Sequence, residues 1–146
     1  MRKALVSGGI ILIVLALACL ARKTHLQSSL AKVVAALQAE SMPATYKPAA
    51  DSEFLAGKRY WFTLENGEHF SVHVYRNSKQ AQEDASYVDG GGCSYTRPGR
   101  AVNVSWAGLP HLFLKDNIIV LYVGENAEML ATLKSVFGEQ FAGYSE

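Results

Sequence analysis

The chain has 146 residues, with Lys and Arg totalling 14, Asp and Glu totalling 13, and a formal net charge of +1. That balance leaves no bulk field to gather nucleic acid or an acidic substrate, and no run of like charge exceeds two residues. Only Cys19 and Cys93 are present, and Cys19 lies in an apolar run, so no internal disulfide is expected.

Residues 1–23 predict a transmembrane anchor or signal segment. Arg2 and Lys3 precede an apolar stretch from Ala4 to Ala21, which stops at Arg22-Lys23. At 1.5 Å rise per residue, about eighteen helical residues just cross a hydrocarbon core of about 30 Å. Three readings of this segment stay open. It is a retained signal anchor, or it is cleaved after Ala16-Leu17-Ala18, or Cys19 is the lipid-modified cysteine of a lipoprotein. Ala18 suits a lipobox, whereas Ala16 and Leu17 depart from its usual leucine-then-small order. Positive charge is nearly even across the segment, with Arg2 and Lys3 on one side and Arg22, Lys23 and Lys32 on the other. The short cationic tail resembles a signal n-region, which puts the N-terminus inside and the body outside the cytoplasm.

About 120 residues follow, enough for one compact domain and too few for two. Residues 24–41 predict a juxtamembrane helix, because Leu26, Leu30, Val33, Val34 and Leu37 recur at helical spacing. Pro43 and Pro48 among small residues make 42–53 a semi-extended linker. The domain itself is expected over 54–143.

Lys58 to Leu64 and His69 to Tyr75 read as strands around Asn66-Gly67, the strongest short hairpin signal. A two-residue turn sets Leu64 opposite His69, Phe62 opposite Ser71 and Tyr60 opposite His73. The other face then pairs Thr63 with Phe70 and Trp61 with Val72, and Trp61, Phe70, Val72 and Val74 form the core face. Asn77 opens a short helix to about Val88, closed by a flexible loop at Gly90-Gly91-Gly92. Arg100 to Trp106 alternates as a third strand. Leu112 to Leu114 and Ile118 to Val123 flank Lys115-Asp116-Asn117 as a second hairpin, and the return strand, apolar on both faces, belongs inside the sheet. Asn126 caps a last helix to Phe137, with Gly138 as its stop. The fold class is α+β: a two-layer domain with an antiparallel sheet of about five strands and two packed helices.

The run Pro110-His111-Leu112-Phe113-Leu114-Lys115-Asp116-Asn117-Ile118-Ile119-Val120-Leu121-Tyr122-Val123-Gly124, with Gly138-Glu139-Gln140-Phe141-Ala142-Gly143 after a helix, resembles small uncharacterised bacterial proteins that are membrane-anchored or lipoprotein-like. The likeness covers residues 58–143 and is one of strands and turns. It implies secretion and this fold, and it implies no activity.

His69 and His73 lie four apart on one strand, about 13 Å from each other, too far to share a metal directly. The glycine run lacks the Lys-Ser/Thr of a phosphate loop and does not open a helix. Neither metal nor cofactor is expected. The reading that follows is a membrane-anchored, non-catalytic binding module whose partner is another envelope protein or peptide, with no nucleic acid. Its surface is predicted to comprise His69, His73 and Tyr75 on the hairpin with Tyr95, Arg97 and Arg100 beyond the glycine loop, since Tyr and Arg supply binding hot spots. The alternative is a thiol- or metal-dependent enzyme using Cys93 with His111 as base.

Overall fold

The computed structural model describes residues 4–145, with side chains from Val14 onward. Arg2, Lys3 and the side chains of the apolar run as far as Ile13 therefore lie outside the described residues. Among the described residues, no helix is long and apolar enough to cross a membrane.

The fold is α+β. Helix α1 runs unbroken over Ala4–Ala39, 36 residues or about 54 Å. Its end is a Schellman motif: the Met42 amide donates to the Leu37 carbonyl at 2.9 Å and the Ser41 amide to Gln38 at 3.0 Å. Ser41 takes the left-handed position with φ 61°, and Leu37 and Met42, the two apolar positions that such a cap brings together, are both buried. Pro43 prevents any continuation.

The main sheet is antiparallel and has six strands in the order β1-β2-β3-β7-β6-β8. These are β1 (Ala44–Pro48), β2 (Lys58–Leu64), β3 (His69–Val74), β6 (Pro110–Lys115), β7 (Ile118–Val123) and β8 (Gln140–Gly143). β4 (Ser94–Arg97) and β5 (Arg100–Asn103) form a separate two-stranded ribbon, which Tyr95 bridges to Val88. Helices α2 (Ser78–Ser86) and α3 (Ala127–Phe137) start at Asn77 and Asn126, whose side chains accept from Gln80 N and Met129 N. The return strand β7 is central, as its two apolar faces require.

Three layers result where two were expected. One face of the sheet, with Phe62, Phe70, Val72, Phe113, Val120 and Tyr122, is covered by Leu30, Val33 and Leu37 of α1 and by Met129, Leu133 and Val136 of α3. The other face, with Leu112, Ile119, Leu121 and Ala142, lies against Ala81 and Ala85 of α2, Tyr95 of β4 and the segment carrying Phe54 and Leu55. The predicted juxtamembrane helix 24–41 is thus the C-terminal part of α1 and half of it belongs to the core. The predicted linker 42–53 contributes the edge strand β1, where Tyr46 stacks on Phe62 at 5.2 Å. Arg100 to Trp106, read as a third strand, is a strand only as far as Asn103 and joins the small ribbon, and β8 adds an edge that its four residues gave little pattern to find.

The first hairpin is one residue out of the expected register. Thr63 faces His69, Phe62 faces Phe70 and Trp61 faces Ser71. Gly67, with φ 88°, is the left-handed residue of a three-residue loop. Its amide bonds the Leu64 carbonyl at 3.1 Å, while the Leu64 amide bonds Glu68 at 2.9 Å. Asn66 stays out of the left-handed region and its side chain accepts from the Glu68 amide at 3.0 Å. Glu68 is also gripped from outside the hairpin, by the Tyr122 hydroxyl at 2.9 Å and the Asn126 amide at 3.1 Å. The shift exchanges the faces of β2, so Phe62 is fully buried and Trp61 only partly so.

Candidate functional site

Asp84 is the residue around which polar groups gather. It lies on α2 among Ala81 and Ala85, the side that faces the sheet, and is 5% exposed. One carboxylate oxygen accepts from the Tyr75 hydroxyl at 2.6 Å and the Ala56 amide at 2.9 Å. The other accepts from the Tyr95 hydroxyl at 2.6 Å. Three donors satisfy a carboxylate that water barely reaches, which is the condition for holding charge inside a protein. Burial and the adjoining carboxylate push the Tyr75 phenol far above its ordinary range, and burial with the Asp84 hydrogen bond pushes Tyr95 up to about 12.

A polar cavity of about 340 Å³ opens above this network, lined by Ala56, Tyr75, Gln80, Glu83, Asp84, Tyr87 and Arg97. Gln80, Glu83, Asp84 and Tyr87 recur at helical spacing, so α2 and its cap supply one whole wall. The Tyr87 hydroxyl donates to Glu83 at 3.2 Å. Arg97 is half-buried and, among the described residues, its side chain makes no hydrogen bond or ion pair. Its turn partner Arg100 donates to the Glu53 carbonyl and stands 5.9 Å from the centre of the Tyr95 ring.

The six predicted binding residues therefore divide. Tyr75, Tyr95, Arg97 and Arg100 converge on one region, although Tyr75 and Tyr95 are buried anchors of Asp84, with only Tyr75 lining the cavity. His73 lies beneath, fully buried, with Nε2 3.1 Å from Ser71 Oγ and Nδ1 without a partner. Burial, and secondarily the Arg59 guanidinium across the strand pair, lower its pKa to about 4. His69 is exposed at the other end of β3, edge-on to Trp61 at 5.4 Å, with Arg59 over the same indole at 4.7 Å. The hairpin face read as an open polar surface is thus mostly interior.

Cys93 and His111 are not assembled as a dyad. His111 shares a sheet face with Phe113 and Tyr122, and its ring nitrogens meet the Gln140 side-chain oxygen at 2.8 Å and the Gly124 carbonyl at 3.1 Å. Gly92, beside Cys93, abuts Leu112 on the opposite face. The glycine loop is also tied down: Asp89 accepts from the amides of Cys93 at 2.8 Å and Ser94 at 2.6 Å, which lower its pKa. Trp106 donates to the Gly92 carbonyl at 2.8 Å. Among the described residues no group of His, Cys, Asp and Glu is arranged to hold a metal. Cys19 is exposed on the free part of α1.

Asp84 was legible only as an oddity, an acid three residues after Ala81 and four before Val88 on the apolar side of a short helix. The pairing with Tyr75 and Tyr95 joins three elements, and no local pattern carries it. The chain is matched by no protein-family model, no curated protein and no solved structure.

Proposed function

We propose that the protein is a membrane-anchored, non-catalytic binding module, with its domain outside the cytoplasm and the cavity beside Asp84 as its working surface. The observation that carries the anchor is the free part of α1. Residues 14–25 are exposed around the whole helix, and Val14, Leu15, Leu17 and Leu20 are 57–60% exposed. As far as Ala21 that exposed stretch is apolar on every side, and such a surface matches a bilayer as solvent. The apolar run upstream of Val14 extends the same character toward Arg2 and Lys3.

The cavity suits recognition because it pairs a rigid floor with two accessible charges of opposite sign, Glu83 and Arg97, beside an aromatic ring. A peptide or envelope component offering a carboxylate to Arg97 and a cation or hydroxyl to Glu83 fits that chemistry. The test has two parts. Full-length protein should stay with membranes through high salt and alkaline wash, and release into the supernatant would end the anchor reading; intact mass then separates a retained from a lipidated or cleaved segment. Arg97→Ala should abolish cross-linking of envelope partners to the full chain while the thermal midpoint stays put, since the Arg97 side chain has no hydrogen-bond or ion-pair partner among the described residues. Unchanged cross-linking would move the site elsewhere.

A further inference from the structure

Where α1 leaves the domain fixes which end of the domain meets the bilayer. The Asn117 side chain donates to Ser29 Oγ at 3.1 Å and to the Tyr75 carbonyl at 2.9 Å, and the Tyr75 amide returns a bond to the Asn117 carbonyl at 2.9 Å. The Asp116-Asn117 turn and the Tyr75-Arg76 segment are thereby clamped to the helix at Ser29. Leu30 is buried in the core behind that clamp, and residues 14–25 ahead of it are exposed. The helix is continuous across this point.

Resting on the anchor reading above, we propose that the end of the domain bearing Arg76 and the Asp116-Asn117 turn sits on anionic lipid headgroups, with Arg22 and Lys23 in the same layer. Ser29 lies eight positions beyond Ala21, the last of the apolar run, which is about 12 Å of helix. The headgroup layer occupies about 5–8 Å of that distance, and an extended arginine spans most of the remainder. Arg76 is exposed and, among the described residues, forms no hydrogen bond or ion pair. The helix carries Arg22, Lys23 and Lys32 and no acid, the first being Glu40 just past its end. At the same end, Lys115 is spent on the Val136 carbonyl, Lys58 faces Asp51 at 3.2 Å, and Asp116 is the one acid on the turn. Asp116 is itself exposed and, among the described residues, unpaired, and it offsets one cation, so it is Arg76 together with Arg22 and Lys23 that leaves this end net cationic, which anionic lipid attracts within a screening length of about 8 Å.

Full-length protein in lipid nanodiscs, with a paramagnetic label on the lipid headgroup, tests this directly. Relaxation enhancement at the Asn117 and Arg76 amides should exceed that at Asn66, in the far hairpin turn. It should rise about twofold or more from neutral to anionic discs, and Arg76→Glu should cancel that rise. If the chain purifies with the discs but Asn66 is enhanced as strongly as Asn117, or lipid charge changes nothing, the docking inference is overturned and the anchor stands. A chain that does not enter discs at all overturns the anchor reading instead.

Discussion

A buried histidine with one unpartnered nitrogen makes the fold sensitive to acid. His73 is uncharged in the folded protein, its pKa lowered to about 4 from 6.5 by burial first and by Arg59 second. Because the unfolded chain takes up the proton more readily, stability is whole above the unfolded value and falls as pH drops from about 6.5 toward 4. The loss amounts to about 3 kcal/mol by linkage. Burial sets the sign; of the charges that face the imidazole, Arg59 on β2 adds to it by opposing protonation, and Asp84 on α2 favours protonation more weakly. Urea unfolding at successive pH values should show this slope in the wild type and lose most of it in His73→Gln, and a slope unaffected by the substitution would assign the acid sensitivity elsewhere. Asp84 works in the opposite way, as a charge whose removal leaves others stranded. Asp84→Ala orphans two buried hydroxyls and the Ala56 amide, and should cost about 3–5 kcal/mol in a urea midpoint. Asp84→Asn keeps the shape but can accept from only one tyrosine through its single oxygen, and should cost less. A small loss in both variants would show that the tyrosines find water instead.

At the scale of elements, the register of the first hairpin decides which aromatic residues are structural. Phe62 stacks between Tyr46 and Phe70 at 5.2 and 5.3 Å in a fully buried setting. Phe62→Ala should therefore cost about 3–5 kcal/mol. Trp61→Ala, on the opposite and partly exposed face, should cost about 1 kcal/mol or less. Reversed magnitudes in thermal or chemical unfolding would restore the two-residue turn. Elements with their own local chemistry were legible from the residues alone. The caps at Asn77 and Asn126, the central place of β7 and the helical stripe of Leu30, Val33 and Leu37 all follow from short-range rules. Register was lost because Asn66-Gly67 suits both a two-residue and a three-residue loop. The choice was made by Glu68, which is held by Tyr122 and Asn126 more than fifty residues away in the chain. The site failed for the same reason: Tyr75, Asp84 and Tyr95 come from a strand, a helix and a separate ribbon, and alternation along β3 alone marks Tyr75 as solvent-facing.

Across the whole molecule, α1 divides into a part the domain requires and a part it does not, and that division separates anchoring from folding. Leu30, Val33 and Leu37 are 0–3% exposed within the main core, and Glu40 accepts from Ser135 of α3 at 2.9 Å. No side chain from Val14 to His25 is even half-way into that core. A chain shortened by residues 1–23 should consequently fold with the wild-type near-ultraviolet signature and a stability within about 0.5 kcal/mol of the full chain in detergent, because the side chains from Val14 to Lys23, the described part of that stretch, are all exposed. Shortening by residues 1–41 strips three large apolar side chains from one sheet face, at about 2–5 kcal/mol each, against a total stability of about 5–15 kcal/mol for a domain of this size. That fragment should be unfolded or should aggregate through the uncovered face of Phe62, Val72 and Val120. Circular dichroism and sedimentation on the two fragments measure both outcomes. If the shorter deletion already unfolds the domain, the free part of α1 is structural, and its exposed leucines are seated on protein and not on lipid.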